Sequence, residues 1–239
     1  YKVITYDRRA NGRSTMNYPQ NFEISQQSRD AVAVLSAAGE TSAFVIGNSS
    51  GAVIALDMAK TQPQAVRAVV VHEAPIPRVL PQHKKWQRFF AKIYVTAFLF
   101  GSSLAALRFM LGVQLPVRQL IKDTKDVNIH RKKSSERYIR SKDATDFLVK
   151  QELLPVTNYL PDVETIKKNE VKVYMAVGTW ALKRKTWYAQ AAQILAEQLR
   201  CELVTFPGHH GSFMDMPVKW ASTLRSVLHK AEAVKGLNE

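Results

Sequence analysis

The stretch Ala43-Phe-Val-Ile-Gly-Asn-Ser-Ser-Gly-Ala-Val-Ile-Ala-Leu56 constrains this chain more than any other. A short apolar run, read as a buried strand from Ser42 to Ile46, meets an apolar helical run from Gly51 to Thr61 with almost no linker. Only a very sharp strand-to-helix turn joins two such elements. That turn forces its central residue, Ser49, into strained backbone geometry and lifts the hydroxyl to the top of a sheet. Gly47 and Gly51, two positions either side, relieve the crowding. The helix N-terminus beneath the hydroxyl favours developing negative charge, and the N–H of Ser50 is placed as half of an oxyanion hole.

The rest of the chain alternates strand and helix. Strand-like runs are Lys2–Tyr6, Val66–His72, Val171–Val177 and Glu202–Phe206. Helical runs are Ser25–Ala38, which stops at Gly39, Thr186–Leu199, and Pro217 to about Val234. Strands that are apolar on both faces predict an α/β fold with a mostly parallel sheet and helices on both sides. Residues 78–165 have helical periodicity and no convincing strand. They read as a helical cap insertion between core parts 1–77 and 166–239.

A nucleophilic serine needs a base. Of six histidines, His209 and His210 lie in Pro207-Gly-His-His-Gly211, after the final strand, where a loop reaches over the sheet top. His210 is read as the base and His209 as its runner-up, or as a loop residue making backbone hydrogen bonds. His72 reads as packed. His83, His130 and His229 read as solvated, and Asp215 as an N-cap of the last helix.

Charge narrows the partners. The net charge is +14. Residues 78–150 hold 16 basic against 5 acidic residues, a surplus of 11. The first reading is solvated outer faces of helices. Attraction to an anionic membrane surface or acidic ligand comes second, and nucleic acid last, because no nucleic-acid motif is visible. Ile93–Leu107 is nearly uncharged but shorter than a spanning helix, and reads as a buried lid helix ahead of interfacial membrane contact. Cys201, alone, gives neither a disulfide framework nor a metal spacing. With no visible secretory leader, an intracellular location is favoured. Tyr1 opens directly into a strand-like run, so the start of the chain reads as missing.

These residues resemble the α/β-hydrolase superfamily. Tyr6-Asp-Arg-Arg-Ala-Asn-Gly-Arg-Ser14 is similar to the family's Y-D-x-R-G-x-G-x-S loop, with Ala10 in place of Gly. Gly47–Gly51 matches the nucleophile elbow, and Phe206-Pro-Gly-His-His210 the C-terminal G-x-H. The resemblance implies a serine hydrolase acting on an ester, lactone or related small acyl substrate, with no cofactor or metal. It also implies that the first strands and a second oxyanion loop precede Tyr1, and that the sheet shown here has an exposed edge. The family's usual acid slot holds Ala181, in Gly178-Thr-Trp-Ala181. Some members carry the acid one strand earlier, which here reads Val71-His-Glu-Ala-Pro75 and makes Glu73 the substitute. The alternative is a non-catalytic binding protein of the same fold, favoured by Ala181 and by the absent oxyanion loop.

Overall fold

The computed structural model describes residues 1–15, 21–131 and 141–235, with the side chains of 126–131, 141–143 and 234–235 left out of the description. The elements run α1 (Ile24–Ala37), β1 (Ala43–Asn48), α2 (Ser50–Thr61), β2 (Val66–His72), α3 (His83–Phe100), α4 (Ser102–Gly112), α5 (Val117–Arg131) and α6 (Ser141–Phe147). A π turn at Leu148–Glu152 follows. Then come α7 (Leu153–Thr157), α8 (Val163–Lys168), β3 (Lys172–Gly178), α9 (Thr179–Lys183), α10 (Trp187–Leu199), β4 (Glu202–Phe206), α11 (Ser212–Asp215) and α12 (Pro217–Lys235).

All four strands are parallel, in the order β1-β2-β3-β4. The apolar strand composition follows from burial on both faces. Val69, Val71, Val173 and Met175 pack with α2 and α10 side chains such as Leu56 and Leu195. Their alternating neighbours Ala68, Val70, Tyr174 and Ala176 pack with Trp220, Val227 and Ala231 of α12 on the other side. The helix ends also follow local chemistry. Gly39 (φ +78°) closes α1: its N–H reaches Ser36 O at 3.0 Å and the Glu40 N–H reaches Leu35 O at 3.1 Å. Pro217 opens α12, where its missing N–H costs nothing.

Three expectations are corrected. Lys2–Tyr6 is not a strand and joins no ladder. Val3 is 79% exposed, and side chains hold the segment instead: Lys2 Nζ donates to Ala38 O at 2.7 Å and Tyr1 Oη to Glu232 at 2.9 Å. The strand at 43–48 is only half-buried, with Ile46 41% exposed, because it forms a sheet edge. The uncharged run Ile93–Leu107 is not one buried lid helix. Gly101 (φ +87°) breaks it into α3 and α4, and only one face is covered. Trp86, Phe90, Ile93 and Ala97 recur at three- and four-residue spacing and pack on Val177 and Trp187, while the far end of the helix pair stays bare. No strand occurs between β2 and β3 among the described residues.

Candidate active site

The bend after β1 is as tight as the sequence predicts. Ser49 has φ 57° and ψ −126°, a conformation rare for a residue with a side chain. Its N–H donates to His72 O at 3.0 Å, and its carbonyl accepts from Ala52 N at 2.9 Å. Thus one residue ends a strand and starts a helix. A Cβ at Gly47 would overlap the Gly51 carbonyl and lie 2.6 Å from Ala52 Cα, so only glycine fits there. Gly51 itself faces open space, so the crowding is relieved at Gly47 alone. Ser50 is the first residue of α2, and its N–H has no intrahelical acceptor.

Glu73 immediately follows β2. It sits at φ 48°, with its N–H on Ala176 O at 2.9 Å. Its side chain is 1% exposed and doubly held. Oε1 accepts from Gly178 N at 2.9 Å, and Oε2 lies 2.7 Å from His210 Nδ1. A Cβ on Gly178 would sit 3.1 Å from Oε1 and 2.8 Å from Gly208 O, so the glycine permits this approach. Burial pushes the Glu73 carboxyl up, but the hydrogen bond from His210, the electrostatic effects of His72 and His210, and the Gly178 N–H together hold it below the ordinary carboxylate value. The position the family usually gives to the acid is occupied by α9, where Ala181 is fully buried in the apolar core.

The histidine loop is pinned from both sides. Trp180 N–H donates to Gly208 O at 2.8 Å, Gly208 N–H to Thr179 Oγ1 at 3.0 Å, and His209 N–H to Ser212 Oγ at 2.7 Å. His210 is thereby turned toward Glu73. His209 turns the other way: Gly211 N–H donates to its Nδ1 at 3.1 Å, which leaves the ring proton on Nε2. That atom lies 3.2 Å from Asp123 Oδ2 and 3.6 Å from Asp215 Oδ2. These three side chains have the donor types of a cation site. A metal, however, needs the Nε2 lone pair, and the Gly211 bond fixes the lone pair at Nδ1. The cluster sits between the histidine loop and α5, with His209 Nε2 close to Asp123 Oδ2 but without hydrogen-bond geometry. Asp215 closes α11 and faces His209, so it is not an N-cap of the last helix.

The other histidines are spectators. His72 is buried, its Nδ1 2.6 Å from Asn48 Oδ1, and burial pulls its pKa down to about 4. His83 is half-buried rather than solvated, with Nδ1 3.1 Å from Leu80 O. His229 is exposed, and the His130 side chain lies outside the described residues.

Ser49, Ser50, Glu73 and His210 line one cavity of about 70 Å³, walled by Phe90, Phe109 and Trp187. That is room for about two waters. The described hydrogen bonds do not join Ser49 to His210 across it. A larger cleft of about 740 Å³ opens at the other end of the sheet, beside Lys172 and Cys201, remote from these groups. One feature of the site escaped the sequence reading. Arg8 Nη2 bonds both Glu152 oxygens at 2.9 and 3.2 Å and Ser50 Oγ at 3.3 Å. The only sequence signal was Glu152 itself, a carboxylate beside Leu153 and Leu154 at the end of a basic segment.

The family model described as alpha/beta hydrolase fold matches residues 1–100. Over those residues the chain is similar to that family, and its fold is that of the α/β hydrolases. An uncharacterized hydrolase, YraK of Bacillus subtilis (strain 168), is 26% identical over 236 residues, covering 96% of this chain and 80% of that protein. Among solved structures, a thermophilic esterase from Thermogutta terrifontis superposes with a TM-score of 0.67 at 15% identity, covering 94% of this chain and 78% of its own. The enol-lactonase of Burkholderia xenovorans LB400 gives 0.59 at 17% identity, covering 98% and 80%. In this chain the polar groups of the site stand at the carboxyl ends of parallel strands.

Proposed function

We propose that this chain is a serine hydrolase that cleaves an ester, lactone or related small acyl substrate. In this reading Ser49 attacks the acyl carbon while His210 Nε2 takes the hydroxyl proton and then gives it to the leaving group. Glu73 holds the proton on His210 Nδ1 and stabilises the imidazolium. The N–H of Ser50 and the dipole of α2 receive the oxyanion. Water then attacks the acyl-enzyme by the same route in reverse.

The observation that carries this reading is the 2.7 Å contact between Glu73 and His210 on the wall of the cavity that Ser49 lines. The sequence left the acid slot at Ala181 empty, and a buried, ionised carboxylate one strand away supplies what that slot would. The tight cavity favours short acyl groups. Esterase and lactonase names among similar folds agree with an acyl substrate.

The test is labelling by a fluorophosphonate probe together with p-nitrophenyl acetate turnover. Both are expected in the parent protein and lost in Ser49→Ala. Labelling that survives Ser49→Ala overturns the nucleophile assignment. A parent protein that neither labels nor turns over ester favours the non-catalytic binding reading.

A further inference from the structure

The bare end of the α3–α4 pair has two properties that no part of the hydrolytic reading uses. First, it is apolar. Val95, Phe98, Leu99, Phe100, Leu107 and Leu111 are all exposed, Phe100 by 69% and Leu111 by 80%. Val95, Phe98, Leu99 and Phe100 lead into the Gly101 corner, where the chain turns from one helix into the other, and Leu107 and Leu111 continue the exposed apolar run along α4. Single exposed apolar residues need no explanation, but a contiguous group of this size marks an interaction surface. Second, it is belted by positive charge. α3 and α4 carry five Lys and Arg (Lys84, Lys85, Arg88, Lys92 and Arg108) and no Asp or Glu. On α3 the outward stripe runs Lys84, Arg88, Lys92, then Val95 and Leu99. The same helix face thus changes from basic to apolar as it approaches the corner.

We infer that the α3–α4 corner docks on the surface of an anionic lipid bilayer. The apolar tip enters the boundary between headgroups and acyl chains, and the basic belt meets the lipid phosphates. Charge complementarity selects this occupant. A second copy of the chain placed on the same patch would bring two basic belts together, which like-charge repulsion opposes. The contact proposed is peripheral: no single helix among the described residues is long and apolar enough to cross a membrane, and Ser102–Gly112 reaches that length only together with Val117–Lys125, across a 120° bend. The inner faces of the same helices supply Phe90 and Phe109 to the cavity that holds Ser49, so docking puts the wall of that cavity against the bilayer.

The test is co-sedimentation of the full chain with phosphatidylcholine vesicles and with vesicles containing phosphatidylglycerol, at low and at high salt. Binding is expected on the anionic vesicles at low salt, and several-fold weaker on phosphatidylcholine or at about 1 M salt. Lys84→Glu and Lys92→Glu each weaken it roughly fivefold or more. The double variant L99D/F100D loses at least tenfold while keeping the parent's thermal melt and its p-nitrophenyl acetate turnover. Ser49→Ala sediments like the parent, so the docking result stands or falls independently of the hydrolytic reading. The inference is overturned if L99D/F100D sediments like the parent. It is also overturned if light scattering shows a parent dimer that L99D/F100D converts to monomer, because a second copy then covers the patch.

Discussion

Glu73 has two oxygens facing two donors, the Gly178 N–H and His210 Nδ1. A glutamine has one acceptor and one donor end, so it cannot satisfy both. Glu73→Gln should therefore lower kcat by up to about 10⁴-fold with little change in KM, as read from steady-state ester kinetics. An unchanged kcat would return Glu73 to a structural role. His72 sets a different pH limit. It is neutral when folded, with a pKa near 4, whereas its ordinary value is 6.5. The unfolded chain thus binds the extra proton first, and stability falls as pH drops from about 6.5 to about 4, by about 3 kcal/mol at most. Glu73 adds to the loss lower down: its folded pKa is depressed, so its contribution is present above the ordinary carboxylate value and disappears as pH falls through the folded one. Urea denaturation across this range, with the His72 ring followed by NMR, should show the decline and a midpoint near 4.

The elements read most easily from sequence were those whose instructions are local. β2 and β4 ended at the residues expected, because their apolar runs are bounded by Ala65 and His72, and by Cys201 and Pro207. The bend at Ser49 was equally legible, since two glycines and a helix start specify it without help from elsewhere. Lys2–Tyr6 has the composition of a strand, yet composition cannot supply a neighbour to pair with. Ile93–Leu107 is apolar, but its pattern does not say which face finds a partner, and Gly101 splits it. The Arg8–Glu152 pair was invisible for the same reason, whereas Glu73 and His210 could be matched through the family resemblance. Arg8 and Glu152 are 144 residues apart, and only the fold joins them. Their pairing gives a prediction: Arg8→Met strands a buried carboxylate and should cost about 3 kcal/mol, whereas R8M/E152L should recover most of it. Chemical denaturation of the two variants measures the difference. Gly47→Ala should be worse than either, because the added methyl meets the backbone of α2 rather than a movable side chain. Its measure is the yield of folded protein.

Across the described residues the proposed reactive groups span all four strands of the sheet. Ser49 follows β1 at one edge, Glu73 follows β2, and His210 follows β4 at the opposite edge. Parallel strands rotate by roughly 20–25° per step, so three steps between the edges amount to about 60–75°. The gap between hydroxyl and imidazole therefore depends on the twist of the sheet as well as on the pinned loop that carries His210. If warming relaxes this twist before the helices melt, the pair separates first. Ester turnover is accordingly expected to fade several degrees below the midpoint recorded by circular dichroism, and the protein would behave as its own strain gauge.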